Sequence, residues 1–199
     1  LYTALLRWAV PVLLSALAAL LLTEVLLVTF SVVVKRLLVG REWGSAHSTP
    51  FWSLRHFTYF FAQDCFFAWC RRPLQLAAGT VLPNVVLRRM GCRIGKRTLI
   101  TEPLQASDWN AVSFGDDCLV GGFLQYHTLE NMTLKVKRAE IQDGSAVNFG
   151  ATVMGGAVME PETTLLPLSM VLKEMRLPSG VYWGSPTEMT TDQRGQRRT

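Results

Sequence analysis

Between residues 139 and 171 the chain repeats a small residue, a spacer and a large apolar residue every six positions. The small positions are Ala139, Ser145, Ala151, Ala157, Thr163 and Ser169. Two residues after each stands Ile141, Val147, Val153, Met159, Leu165 or Val171. A helix asks for spacings of three and four, and a half-exposed strand asks for two. A period of six fits neither. It fits a prism-shaped parallel β-helix, in which each face carries one short strand and the chain turns a corner every sixth residue. The large residue then fills the inside, and the small one leaves room beside it near the corner.

The same register is present upstream, at Cys92 with Ile94, Thr98 with Ile100, Val112 with Phe114, and Cys118 with Val120. Gly95, Gly115 and Gly121 follow three of these apolar residues, and a tight corner predicts backbone angles there that glycine adopts without a clash. Between Ile100 and Phe114, and again between Val120 and Ile141, the spacing exceeds whole hexads. The surplus residues are expected to leave the scaffold as loops, which is where function tends to sit. In the second, Met132, Leu134 and Val136 alternate with Lys135 and Lys137 like a strand with one wet face.

The N-terminal pattern is different. From Trp8 to Val34 the chain is almost wholly apolar, and a helix of that length crosses a hydrocarbon core of roughly 30 Å. The run is too long for a signal peptide. The first residue is Leu, so an internal or C-terminal piece of a longer chain is expected. Lys35, Arg36 and Arg41 follow the run while Arg7 alone precedes it, and the positive-inside rule then predicts the rest of the chain on the cytosolic face. Glu24 within the run is predicted either to pair with a neighbouring helix or to be protonated. From Phe51 to Trp69 nine aromatics interleave with Arg55, His56, Gln63 and Asp64, which predicts a helix at headgroup level, interfacial or re-entrant, after a loop from Gly40 to Pro50.

The expected organisation is a transmembrane helix over 1–39, membrane-proximal loop and helices over 40–90, a β-helix domain over 91–188 and a disordered tail over 189–199, rich in Thr, Gln and Arg. The formal net charge is +5, with Arg71, Arg72, Arg88 and Arg89 clustered before the β-helix. Beside a membrane span the expected partner of such cations is anionic lipid, and no nucleic acid is expected. Four cysteines form neither a C-x-x-C pair nor an extracellular disulfide pattern, and Cys92 and Cys118 serve as small apolar fillers.

Candidate chemistry gathers at the second interruption. Gln125, His127 and Glu130 fall where the surplus residues begin. An imidazole is the side chain best suited to take a proton near neutral pH, and Glu130 is a carboxylate that could orient it. The pair permits attack of an amine or hydroxyl on an acyl thioester, with His127 as general base. The competing reading makes His127 a solvated corner residue. A hydrolytic zinc site needs several histidines, so no metal is expected, and Asp108, Asp116 and Asp117 are read as corner residues.

The hexads resemble those of the left-handed β-helix acyltransferases, the hexapeptide-repeat superfamily. Gly40-Arg41, Ala78-Gly79-Thr80, Gly91 to Gly95, Gln125-Tyr126-His127 with Glu130, Leu177-Pro178 and Trp183 to Pro186 resemble the membrane-anchored C-terminal region of nonribosomal-peptide-synthetase-like proteins of the ε-poly-lysine synthetase type. The resemblance implies a left-handed parallel β-helix, with His127 as the base and Gln125 and Glu130 as its neighbours. It implies a phosphopantetheine thioester as donor, borne by a carrier domain or by coenzyme A and not attached to this segment. Carrier and adenylation domains become the expected partners, and a trimer or a tandem pseudo-trimer the expected assembly. The alternative function is a non-catalytic β-helix that scaffolds or oligomerises such a synthetase.

Overall fold

A computed structural model describes residues 2–40, 46–101, 109–185 and 188–189. Arg41, Asp108, Pro186 and residues 190–199 lie outside them. The chain opens with one long helix, continues through short helices, and is mainly β thereafter.

Helix α1 spans Tyr2–Leu38. The eighteen residues 9–26 are exposed on every side, a length of about 27 Å, close to the thickness of a hydrocarbon core. The helix is thus long and apolar enough to span a membrane. Its polar residues are satisfied locally: Ser15, Thr23 and Thr29 donate to carbonyls three or four residues back. Glu24 is exposed on this segment.

Beyond residue 26 the same helix packs on the rest of the chain. Ser31 is buried and donates to the Cys65 carbonyl, and Phe30 meets Trp69 edge-on. Lys35 is buried, and Arg36 donates through Nε to the Arg89 carbonyl at 2.8 Å. These cations, read from sequence as topology signals, also dock the helix on the domain that follows.

Helix α2 (Leu54–Trp69) is capped by Ser53, whose hydroxyl accepts from the His56 amide. Its buried face carries His56, Tyr59, Ala62, Cys65 and Phe66, while Leu54, Phe57 and Phe61 are exposed. Helix α3 covers Arg71–Leu76, and α4 covers Leu82–Met90 with Pro83 in its first turn and left-handed Gly91 closing it.

Most of the strands fall into three parallel sheets visited in turn. One contains β2 (Arg93–Ile94), β4 (Val112–Phe114), β9 (Ala139–Ile141), β12 (Val158–Met159) and β15 (Arg176–Leu177). The second contains β3 (Leu99–Ile100), β5 (Leu119–Val120), β10 (Ala146–Val147), β13 (Thr163–Leu165) and β16 (Gly180–Trp183), with β17 (Glu188–Met189) antiparallel at its edge. The third contains β6 (Phe123–Gln125), β11 (Thr152–Met154) and β14 (Met170–Val171). Glu140 pairs with Val158, Ala146 with Thr164, and Thr152 with Met170, each eighteen residues on. Neighbouring strands of a sheet are therefore three hexads apart in sequence.

All twelve small and large positions between Ala139 and Val171 are buried, none more than 1 % exposed. The small polar ones tie hexads distant in sequence together. Thr163 donates to the Pro178 carbonyl at 3.3 Å, Ser145 donates to the Glu160 carbonyl, and Ser169 donates to the Tyr182 carbonyl. Each large residue buried here contributes about 1.5–3 kcal/mol relative to exposure.

The corners differ from the sequence expectation. Gly95 and Gly115 do not take left-handed angles; the residues that do include Gly144, Gly150, Gly156, Glu162 and Leu168, each one position before the next small residue, and Glu174, at the same hexad position before Met175. Half of these are not glycine, and such angles cost about 1–2 kcal/mol each in L-residues. Gly115 is required for a different reason: a Cβ there would lie 2.6 Å from the amide nitrogen of Asp143, just past the neighbouring strand β9. Asp143 and Asp116 run a ladder along this corner, accepting from the amides of Asp116 and Lys96 at 2.7 Å, while Asp117 pairs with Arg97.

Two further expectations change. The loop predicted over 40–50 contains strand β1 (Ala46–Pro50). Met189, placed in the tail from sequence, lies in β17, because β16 offers it an edge to pair with.

Candidate functional site

The surplus residues after β6 form an antiparallel hairpin, β7 (His127–Glu130) and β8 (Thr133–Lys137), joined by Asn131-Met132. Both turn residues have positive φ, the sign a tight two-residue hairpin demands. β1 adds on as a third strand, its Ser48 opposite Lys135. The hairpin base rests on the third sheet, where a Cβ at Gly155 would come within 2.6 Å of the Tyr126 carbonyl oxygen. A glycine is what lets the hairpin leave at this point.

Alternation along β7 sends His127 and Glu130 to opposite faces. On one face, Leu134, Val136 and Thr49 are buried, and His127 is half-buried. Its Nδ1 lies 3.4 Å from the Tyr59 hydroxyl of α2, and the two rings meet edge-on with centroids 6.2 Å apart. Tyr59 is 4 % exposed. Three residues earlier on the same helix, His56 is buried between Phe51 and Phe60, and its Nδ1 has no hydrogen-bond partner.

On the opposite face Glu130 accepts from Lys173 at 2.6 Å, from Lys135 at 2.9 Å and from Thr128 at 3.0 Å. Lys137 pairs with Glu174 beside it. Glu130 thus clasps the hairpin to the corner after β14, a different task from the orientation of His127 expected from sequence. Gln125 is half-buried at the end of β6, in register with Met154.

The two lysines and Thr128 hold the Glu130 carboxyl below its ordinary value of 4.5, at about 2. Folding therefore favours the ionised form, so the clasp is complete above about pH 4.5 and weakens as pH falls towards 2. Protection of the amides across residues 127–137, relative to their intrinsic exchange rates, is expected to fall in that window and to lose this acid dependence in Lys173→Met. Equal protection at pH 2 and pH 6 would contradict the clasp.

Among the described residues no group of three or more His, Cys, Asp or Glu side chains is arranged to hold a metal. The four cysteines are free and buried, and burial pushes the Cys92 thiol up to about 12. It is a core filler, far from a nucleophile.

Sequence reasoning missed Tyr59 and Lys173. Tyr59 sat within an aromatic run whose membrane signal masked its inward face, although Tyr59 and His56, three apart, mark one helix face. Lys173 carried no local signal, since the hexads assign its position only to the outside.

No family model matches the chain. It is similar to delta-poly-L-ornithine synthetase of Acinetobacter baumannii, 28 % identical over 116 residues. The match covers 57 % of this chain and 9 % of that relative's length. The chain thus resembles part of a synthetase that builds a poly-amino acid.

Proposed function

We propose that the three sheets wind into a left-handed parallel β-helix of the hexapeptide-repeat kind, and that this unit forms amide bonds at a membrane surface. The eighteen-residue circuit, the left-handed corners every six residues and the buried small and large positions support the winding. The observation that carries the function is the half-buried His127 at the foot of the one hairpin leaving the third sheet, its ring held by Tyr59. The likeness to a poly-ornithine synthetase supports an amide as the bond formed.

In this reading the donor is an aminoacyl thioester on phosphopantetheine, carried by a neighbouring carrier domain or by coenzyme A. The acceptor amine attacks the thioester carbonyl carbon; a C–N bond forms, the C–S bond breaks, and the thiol leaves. His127 takes the proton shed by the attacking nitrogen and returns it to the departing sulfur. The acceptor is itself the nucleophile, so no enzyme acyl intermediate is required. Gln125 lies two residues away as a candidate polar contact for substrate. The long apolar α1 anchors the unit, with the β domain on the cytosolic side and its arginines towards anionic lipid. Adenylation and carrier domains are its partners, and a trimer or tandem copies its assembly.

The test supplies aminoacyl-pantetheine and an ornithine acceptor to the chain in proteoliposomes and follows products by mass spectrometry. A new amide above the uncatalysed background is expected. Donor hydrolysis alone would exclude the transferase reading and favour the scaffold.

A further inference from the structure

The half-buried ring of His127 can serve as a base through Nε2 only if its other nitrogen carries the proton, and in free histidine the proton prefers Nε2. Something in the fold has to reverse that preference. Among the described residues, Nδ1 is approached by an element of very different origin, the aromatic helix beside the membrane anchor. There the Tyr59 hydroxyl lies 3.4 Å from Nδ1. This is long for a hydrogen bond, as such contacts often are before substrate tightens a site. The tyrosine itself has little freedom. It is 4 % exposed, its ring packs edge-on against Phe60, and its helix is pinned to α1 through Ser31.

We infer that Tyr59 is the positioning residue for His127: its hydroxyl oxygen accepts the Nδ1 proton, fixing the tautomer that puts the lone pair on Nε2. Glu130, which the sequence offered for this task, is committed to Lys135 and Lys173 on the other face. The inference rests on the proposed role of His127 but concerns where a proton sits, which can be measured without donor or acceptor. It also ties the site to the anchor, because any tilt of α2 on α1 moves the hydroxyl relative to the ring.

The sequence has three histidines, so nitrogen-15 labelling gives three rings, and His127→Gln assigns the one in question. The probe is the full chain in phosphatidylcholine proteoliposomes at alkaline pH, where imidazole is neutral. The wild type is expected to show the Nδ1–H tautomer at His127, and Tyr59→Phe, which keeps the ring packing, to return it to Nε2–H with an unchanged melting temperature. The same variant should lower amide turnover about tenfold at unchanged donor KM, the scale seen when a partner orienting a functional histidine is removed. Should Tyr59→Phe fold poorly, 3-fluorotyrosine incorporation serves instead: it weakens the hydroxyl as an acceptor and is expected to shift the His127 Nδ1 resonance. An Nε2–H tautomer in the wild type, or an Nδ1–H tautomer untouched by either change, overturns the inference. Because the tautomer is read without turnover, its failure is separable from failure of the amide assay.

Discussion

Replacing His127 by Ala is expected to lower the proposed amide formation by about a hundredfold or more, the range that a positioned general base supplies, while the protein melts as the wild type does. The second half of that expectation matters as much as the first. His127 is half-buried at the foot of a hairpin whose attachment comes from Leu134 and Val136 on one face and from the Glu130 clasp on the other. Loss of the imidazole leaves those contacts in place. Initial rates with saturating donor, measured beside a thermal melt, decide the matter. A variant that keeps its rate puts the base elsewhere and returns the hairpin to a purely structural role. A variant that loses rate and fold together says nothing in favour of catalysis, and Tyr59→Phe then becomes the cleaner probe.

The largest effect on stability is expected at Leu165. It is fully buried, in register with Val147 below and Tyr182 above. Leu165→Asp places a charge among apolar side chains with no partner, a cost of several kcal/mol. Set against a total stability of about 5–15 kcal/mol for a domain, that is enough to unfold the β region or nearly so. Thr164→Asp, one residue earlier, points outward and should change stability by less than about 1 kcal/mol. The contrast is the useful part. Strand side chains alternate, so a register slipped by one residue would exchange the two outcomes. Urea unfolding followed by tryptophan fluorescence separates them, and equal stability of the two variants contradicts the register.

Much of the β region was legible because its rule is local. A small residue followed two positions later by a large apolar one, repeated every six, states which side chains face inward without reference to any distant residue, and every such position between Ala139 and Val171 is buried. The alternation of Leu134 and Val136 with Lys135 and Lys137 likewise announced β8. Corner glycines were legible in kind and wrong in place. Gly95 and Gly115 are needed for close approach between neighbouring strands, whereas left-handed residues such as Gly144, Gly150, Gly156, Glu162 and Leu168 stand one step before a small residue.

What stayed hidden depends on contacts between distant segments. Tyr59 and His127 are 68 residues apart, and Lys173 and Glu130 are 43 apart. Neither pair belongs to a period that could be extrapolated. Strand β1 was hidden for another reason: Ala46 to Pro50 has little apolar character, and it becomes a strand only because β8 presents a free edge. The sequence thus located the hairpin that carries His127, but neither the helix its ring meets nor the lysines that hold Glu130.

The most direct test of the winding is a cross-link between stacked positions. Ala146 and Thr164 are register partners on adjacent parallel strands, within the Cα separation a disulfide tolerates, and the native cysteines are buried out of reach. Mild oxidation of the Ala146→Cys, Thr164→Cys double variant should close an intramolecular disulfide in nearly every molecule, whereas Ala146→Cys with Val158→Cys, on different sheets, should not. Efficient closure of the second pair, or none of the first, would show that eighteen residues do not make one circuit of this chain.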